Sequence, residues 1–261
     1  MGRLRRGALG LGLLLAAACG PGRDPGLPHK AFLPAVVRSR LPGRPPSETH
    51  VELTNPGSTP IEIRLQRWPP DAREAESETL TLGPNAGRAV SLRIPLLPSV
   101  SSFLFESASP FSVGAVTRDR QGGGPPPLVV PVVDTEALAR PGDTLRVGPI
   151  LSDREHQSRI GFTFPATERD AVPFRVRIVI VGADGVRLGT WDQSLQGVPQ
   201  VIDDPWAYLE LRDRRPLFVE VTLLGGTRGR RPVWGLWVYG IVTETGTNAS
   251  RFVETTVRRG S

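Results

Sequence analysis

Apolar and polar side chains alternate through Ile61-Glu62-Ile63-Arg64-Leu65-Gln66, a period of two that puts three apolar side chains on one face of an extended chain. Val51-Glu52-Leu53, Thr79-Leu80-Thr81-Leu82 and Val90-Ser91-Leu92-Arg93-Ile94 repeat the pattern. Turn formers separate these runs at Asn55-Pro56-Gly57, Gly83-Pro84-Asn85 and Pro98-Ser99. Downstream, Phe174 to Ile180 reads as a strand that becomes apolar on both faces and enters a hairpin turn at Asp184-Gly185, followed by Val186-Arg187-Leu188. Trp206 to Leu211, Leu217 to Leu223 and Val233 to Thr243 read as further strands, and Asp71 to Glu78 alone as locally helical. Strand signals recurring roughly every 8–12 residues predict an all-β chain of sandwich type.

The signals fall into two similar series. Gly122-Gly123-Gly124-Pro125-Pro126-Pro127 is the clearest break, and Gly20 to Lys30, rich in glycine and proline, reads as a tether. Phe32 to Val37 parallels Leu128 to Val133, each taken to open a domain. Thr49 to Pro56 parallels Ser158 to Pro165, and Pro60 to Arg67 parallels Pro173 to Val181. Phe103 to Glu106 and Phe111 to Thr117 then match Leu217 to Leu223 and Val233 to Thr243. The expected plan is a leader over 1–18, a tether over 19–30, a sandwich over 31–120, a linker over 121–127 and a second sandwich over 128–257.

The first nineteen residues carry a different message. Arg3, Arg5 and Arg6 precede an apolar run from Ala8 to Ala18 that is too short for a bilayer span, which takes roughly 20 residues. The only cysteine of the chain, Cys19, follows Leu15-Ala16-Ala17-Ala18 directly. This resembles the lipobox of bacterial lipoproteins, with Ala16 where leucine is more usual. The resemblance implies cleavage before Cys19 and acylation of its thiol, palmitate being a typical chain. Each buried methylene contributes about 0.8 kcal/mol, so two or three chains anchor firmly where one does not. It implies a partner, the membrane, and a place in the cell envelope: an outer membrane facing the periplasm, or the cell surface, if two membranes are present.

Loss of residues 1–18 removes three arginines and no acids, so the formal charge falls from +6 to +3. Lys30 is the only lysine. The mild basicity, with arginine clusters at Arg212/Arg214/Arg215 and Arg228/Arg230/Arg231, suits lipid headgroups or acidic glycans. Such clusters nonetheless read first as solvated arginines in turns and only second as a binding patch. There is no nucleic-acid motif. Without a second cysteine, disulfides and thiol chemistry are excluded from the folded part.

A proline-broken opening strand, an Asn-Pro turn, an Asp-Gly hairpin and a late Trp-bearing strand, Val233-Trp234-Gly235-Leu236-Trp237-Val238-Tyr239, ending near Thr245-Gly246-Thr247-Asn248, follow in order. This series resembles the immunoglobulin-like β-sandwich repeats of exported proteins from GC-rich bacteria. The resemblance spans about residues 31–257, implies two tandem sandwiches and carries no catalytic residues.

Catalytic chemistry has few candidates. His29 lies in the tether, His50 at a strand start and His156 in a polar loop, and no Gly-x-Ser-x-Gly elbow presents a serine to any of them. Zinc lacks ligands, and no nucleotide cradle occurs. Asp170, Asp203 and Asp204 offer carboxylates for glycoside hydrolysis or calcium, but adjacent acids usually just solvate a turn. Asn248-Ala249-Ser250 fits a glycosylation acceptor without meaning in a bacterial setting. The remaining candidates are Trp191, Trp206, Trp234 and Trp237, all in the second series, as contacts for a glycan or protein partner or as core. The expectation is a non-catalytic, cofactor-free, lipid-anchored interaction or structural module with an envelope protein or glycan as partner. The alternatives are a carbohydrate-binding lipoprotein and an envelope hydrolase built on His50 or His156.

Overall fold

The computed structural model describes residues 27–39, 47–68, 77–92, 100–119, 124–163, 174–195, 200–208, 210–211, 215–226 and 235–260. These form an all-β chain of small antiparallel sheets. Its first half contains β1 (His29–Ser39), β2 (Ser47–Thr54), β3 (Ile61–Trp68), β4 (Ser77–Leu82), β5 (Gly87–Ser91), β6 (Val100–Ser107), β7 (Ser112–Asp119) and β8 (Leu128–Val129). One layer runs β4-β3-β6-β1, and β5, β7 and β8 gather around β2 in the other. β1 joins both: most of it pairs with β6, and Arg38 and Ser39 pair with β2. A register shift between Leu33 and Val36 bends it at Pro34. Proline has no N–H to give to a ladder, so a bulge is where a strand accepts it.

The second half contains β9 (Thr144–Ile150), β10 (His156–Thr163), β11 (Phe174–Gly182), β12 (Arg187–Leu195), β13 (Gln200–Ile202), β14 (Leu217–Gly226), β15 (Trp237–Glu244), β16 (Ser250–Val253) and β17 (Thr255–Arg258). Its sheets run β12-β11-β14-β9-β17 and β13-β10-β15-β16. This is the strand order of the first half, with β9 in the place of β1, β10 of β2 and so on to β16 in the place of β8. β9 also carries a register shift, where Val147 and Ile150 face Val219 and Leu217 across Gly148-Pro149.

The ordered parallels between β2 and β10, β3 and β11, β6 and β14, and β7 and β15 match what alternation predicts. The opening pair differs. Leu128-Val129 pairs with β7, so it closes the first series, and the counterpart of β1 is β9. Leu128-Val129 is followed by Pro131 and Thr144–Ile150 contains Pro149, so a proline after a short strand does not choose between them. His29 and Lys30 belong to β1 and not to the tether, held by pairing with Ser107 and Glu106. Pro205–Tyr208 is a helical turn, α1, where a strand is expected from Trp206. Asp204 Oδ1 accepts the N–H groups of Trp206 and Ala207 and so caps that turn. Ser77 and Glu78 are extended in β4, while 71–76 and Val233-Trp234 lie outside the described residues.

Alternation buries one face of each sheet. Leu33, Leu53, Ile63, Phe103 and Phe105 come from both layers of the first half into one core. Leu145, Ile160, Val176, Ile178, Val221 and Val238 do the same in the second. The halves interlock. Phe32, on β1, is fully buried in the second core, and it exchanges both backbone hydrogen bonds with Val133, at 2.9 and 2.8 Å. Val130 belongs to the first core, and Phe252 packs against both. Threonine and serine pairs directly opposite one another join strands at Thr49–Thr117, Thr144–Thr222 and Thr243–Ser250, 2.7 to 2.8 Å apart.

Candidate functional site

A concave feature with partly exposed aromatics lies in the second half, at the seam between edge strands β12 and β13. Ile160, Phe162, Ile178, Ile180, Trp191, Ile202, Pro205, Tyr208 and Val219 line an apolar slot of about 200 Å³ counted out to its open mouth. The free room inside it is only about 10 Å³, about what one water needs, so the slot is a shallow seam and not a ligand pocket. Tyr208 and Val201 stand exposed beside it. The rings of Trp191 and Tyr208 meet at 6.3 Å and 49°. Trp191 Nε1 is buried without an acceptor among the described residues. The corresponding seam of the first half is filled by Leu80, Leu82 and Leu92, all buried.

The structure separates the sequence-predicted residues. Trp206 is fully buried and Trp237 nearly so, both in the second core, while Trp191 alone of the described three is part-exposed. Cys19 and Trp234 lie outside the described residues. Tyr208 carries no periodic signal that would single it out, because α1 takes it off the strand pattern.

The histidines are dispersed. His29 sits in β1 opposite Ser107, and His50 in β2 opposite Val116 and Ser91. His156 Nδ1 meets Asp153 Oδ1 at 2.9 Å on an exposed turn. The N–H of Glu155 and then the His156 ring hold the Asp153 carboxyl below its ordinary range. Asp153 therefore acts as a turn cap that also orients an imidazole. Asp203 pairs with Arg159 at 2.9 Å, and Asp204 is the cap of α1, so the adjacent acids have separate structural tasks. Among the described residues no three His, Cys, Asp or Glu side chains gather as for a metal. No helix among them is long and apolar enough to cross a membrane.

A functional-looking carboxylate that sequence reading passes over is Asp143. It is buried, accepts from the N–H groups of Arg140 and Gly260 at 2.8 Å, and meets Arg259 Nη1 at 2.7 Å. Burial raises its pKa, but the two N–H bonds and the Arg259 guanidinium outweigh that and hold it below the ordinary range. Two of these partners, Arg259 and Gly260, directly follow β17, so Asp143 latches that strand to the start of the second half.

No known family model matches the chain, and no curated protein matches it either.

Proposed function

We propose that the chain is a lipid-anchored, non-catalytic protein of the cell envelope, built of two tandem immunoglobulin-like β-sandwiches that act as an interaction or structural module. Acyl chains on Cys19 fix its location, the segment before β1 gives reach, and the sandwiches present faces and edge strands to a partner. The observation that carries the reading is the strand order repeated around two apolar cores, behind a leader that ends in Leu-Ala-Ala-Ala-Cys. The ionisable groups of the described residues mostly cap turns, latch strands or pair across sheets, which suits a scaffold.

A carbohydrate-binding lipoprotein is the second reading. It is favoured by the Trp191–Tyr208 pair at an open seam and by an arginine-bearing sheet face on the second half. The hydrolase reading requires a nucleophile and an acid beside His50 or His156, and the His156 ring bonds both oxygens of Asp153 on an exposed turn.

The test is intact mass and membrane fractionation of the chain expressed in a bacterial host, wild type beside Cys19→Ala. Acylation at Cys19, lost together with membrane association in the variant, is the expected result. Membrane retention by a folded Cys19→Ala protein overturns the anchor, and an unmodified secreted chain moves the second reading to first place.

A further inference from the structure

The same ion pair occurs in both halves, buried in one and open in the other. In the first half Lys30 and Glu106 stand directly opposite on β1 and β6, with Nζ 3.2 Å from Oε1 and side-chain exposures of 16% and 6%. In the second half Arg146 and Glu220 stand directly opposite on β9 and β14, the counterparts of those strands, at 3.5 Å with exposures of 47% and 23%. Both pairs lie on the outer face of their sheet, because Leu33 and Phe105, and Val147 and Val219, face the cores. Beside Lys30, Phe32 carries the first outer face into the second half. The equivalent face of the second half exposes Arg146, Arg175, Arg177, Asp192 and Arg258.

That exposed face is cationic. One row crosses all five strands, with Asp192, Arg177, Thr222, Thr144 and Arg258 paired in order. Arg175 adds a fourth arginine two residues from Arg177, about 7 Å along β11. With Arg187, paired to Val181 on the same face, five arginines therefore face two carboxylates, Asp192 and Glu220. The guanidinium groups are held in place: Arg177 bonds both oxygens of Asp192, at 2.8 and 3.1 Å, and Arg146 lies 4.3 Å over the Phe218 ring. Arg177 and Arg258 stand three strand spacings apart, about 14 Å. Thr222 and Thr144, bonded to each other at 2.8 Å, lie between them, and the apolar residues Val179 and Phe218 of this face sit one and two rows away, with Val179 buried and Phe218 under the Arg146 guanidinium.

We propose that this outer face, on β12-β11-β14-β9-β17, binds a linear acidic polysaccharide. Its carboxylates meet Arg175 and Arg258, the exposed arginines beside the two paired ones, and its hydroxyls meet Thr222 and the exposed edge of β12 at Thr190 and Ser194. The proposal names a partner class for the interaction module and does not depend on the lipid anchor.

The test is affinity electrophoresis of the purified full chain through gels containing polygalacturonate, with dextran as the neutral polymer and phosphatidylglycerol vesicles in a parallel sedimentation assay. Retardation by polygalacturonate and not by dextran is expected. The double variant Arg175→Gln/Arg258→Gln should bind about tenfold more weakly, as the loss of a charge-assisted contact implies. The double variant Arg118→Gln/Arg251→Gln removes the same charge from exposed positions on other sheets and should bind nearly as wild type. Equal loss in both variants means general electrostatic attraction and overturns the face, as does absent retardation or binding to vesicles alone. Circular dichroism on each variant confirms that the exposed substitutions leave the fold intact. An unlipidated chain that still binds polygalacturonate overturns the anchor and leaves this face standing.

Discussion

Gly161 and Tyr239 stand directly opposite each other on β10 and β15, and a Cβ placed on Gly161 would come within 2.0 Å of Tyr239 Cζ. The bare glycine backbone is the floor on which the tyrosine ring lies. The ring in turn meets Phe252 at 5.7 Å, and Phe252 touches both cores. Burial pushes the Tyr239 phenol far above its ordinary pKa. Gly161→Ala should therefore destabilise the fold by about 1–3 kcal/mol, the usual cost of an added methyl in a packed site. Urea unfolding checks it, and an unchanged midpoint would mean that the ring can move aside without cost.

The interlock at Phe32 makes a sharper claim. Tryptophans 191, 206, 234 and 237 all lie in the second half, so tryptophan fluorescence weights that half heavily. Phe32→Ala, a change in the first strand of the first half, should lower the fluorescence transition midpoint by an amount corresponding to about 3–5 kcal/mol. It should also keep that transition coincident with the one seen by far-ultraviolet circular dichroism. A variant whose fluorescence transition stays in place would show two halves that unfold independently.

Much of this was legible beforehand, and the failures have physical causes. Alternation at Ile61–Leu65 and at Phe174–Ile180 located β3 and β11, because a sheet with one buried face writes its period into the chain. The all-β class and the order of four matching strands followed from the same signal. The opening strand of the second half was misplaced because Leu128-Val129 and Thr144–Ile150 are both short, and only hydrogen-bond partners distinguish them. Trp206 looked like a strand residue because its neighbours are apolar, while the cap from Asp204 is a single local bond that alternation does not report. The open arginine face was not foreseen. Arg177 and Arg258 lie 81 residues apart, and their row exists only after β14 pairs with β9 and β9 with β17.

Asp143 should set part of the acid stability of the chain. Its pKa is lowered in the folded protein, so its contribution is fully present above the unfolded carboxyl range and is lost as pH falls through the lowered value. Asp143→Asn should unfold at lower denaturant at neutral pH and show a flatter acid limb, because the ionisable latch is gone. Removing a buried carboxylate with three hydrogen bonds costs about 3 kcal/mol, whereas Arg259→Ala, whose side chain is half-exposed, should cost about 1 kcal/mol or less. Denaturation midpoints from pH 7 down to pH 3 measure both, and parallel curves for wild type and Asp143→Asn would remove the latch from the account.

Asn55 offers a prediction with the opposite sign. It is fully buried; its Nδ2 donates to the carbonyls of Thr59 and Gly83, both at 2.8 Å, and its Oδ1 accepts from Gly57 N at 2.8 Å. It thereby ties the turn after β2 to the turn after β4. Asn55→Asp keeps the shape and the acceptor but turns a carboxylate oxygen toward two carbonyls, which disfavours the charged form and raises the pKa of the new group. A raised folded pKa means that stability is relatively favoured at low pH and lost as pH rises through it. Asn55→Asp should therefore lose about 2–4 kcal/mol at neutral pH, the range for a buried polar group facing like partners, and recover part of it on acidification. Asn55→Ala should be destabilised at both ends, since its carbonyl partners stay unsatisfied at any pH. Urea midpoints for the two variants at pH 7 and pH 4.5 decide it: a recovery confined to Asn55→Asp supports the polarity of these bonds, and matching losses at both pH values would assign Asn55 a role in packing alone.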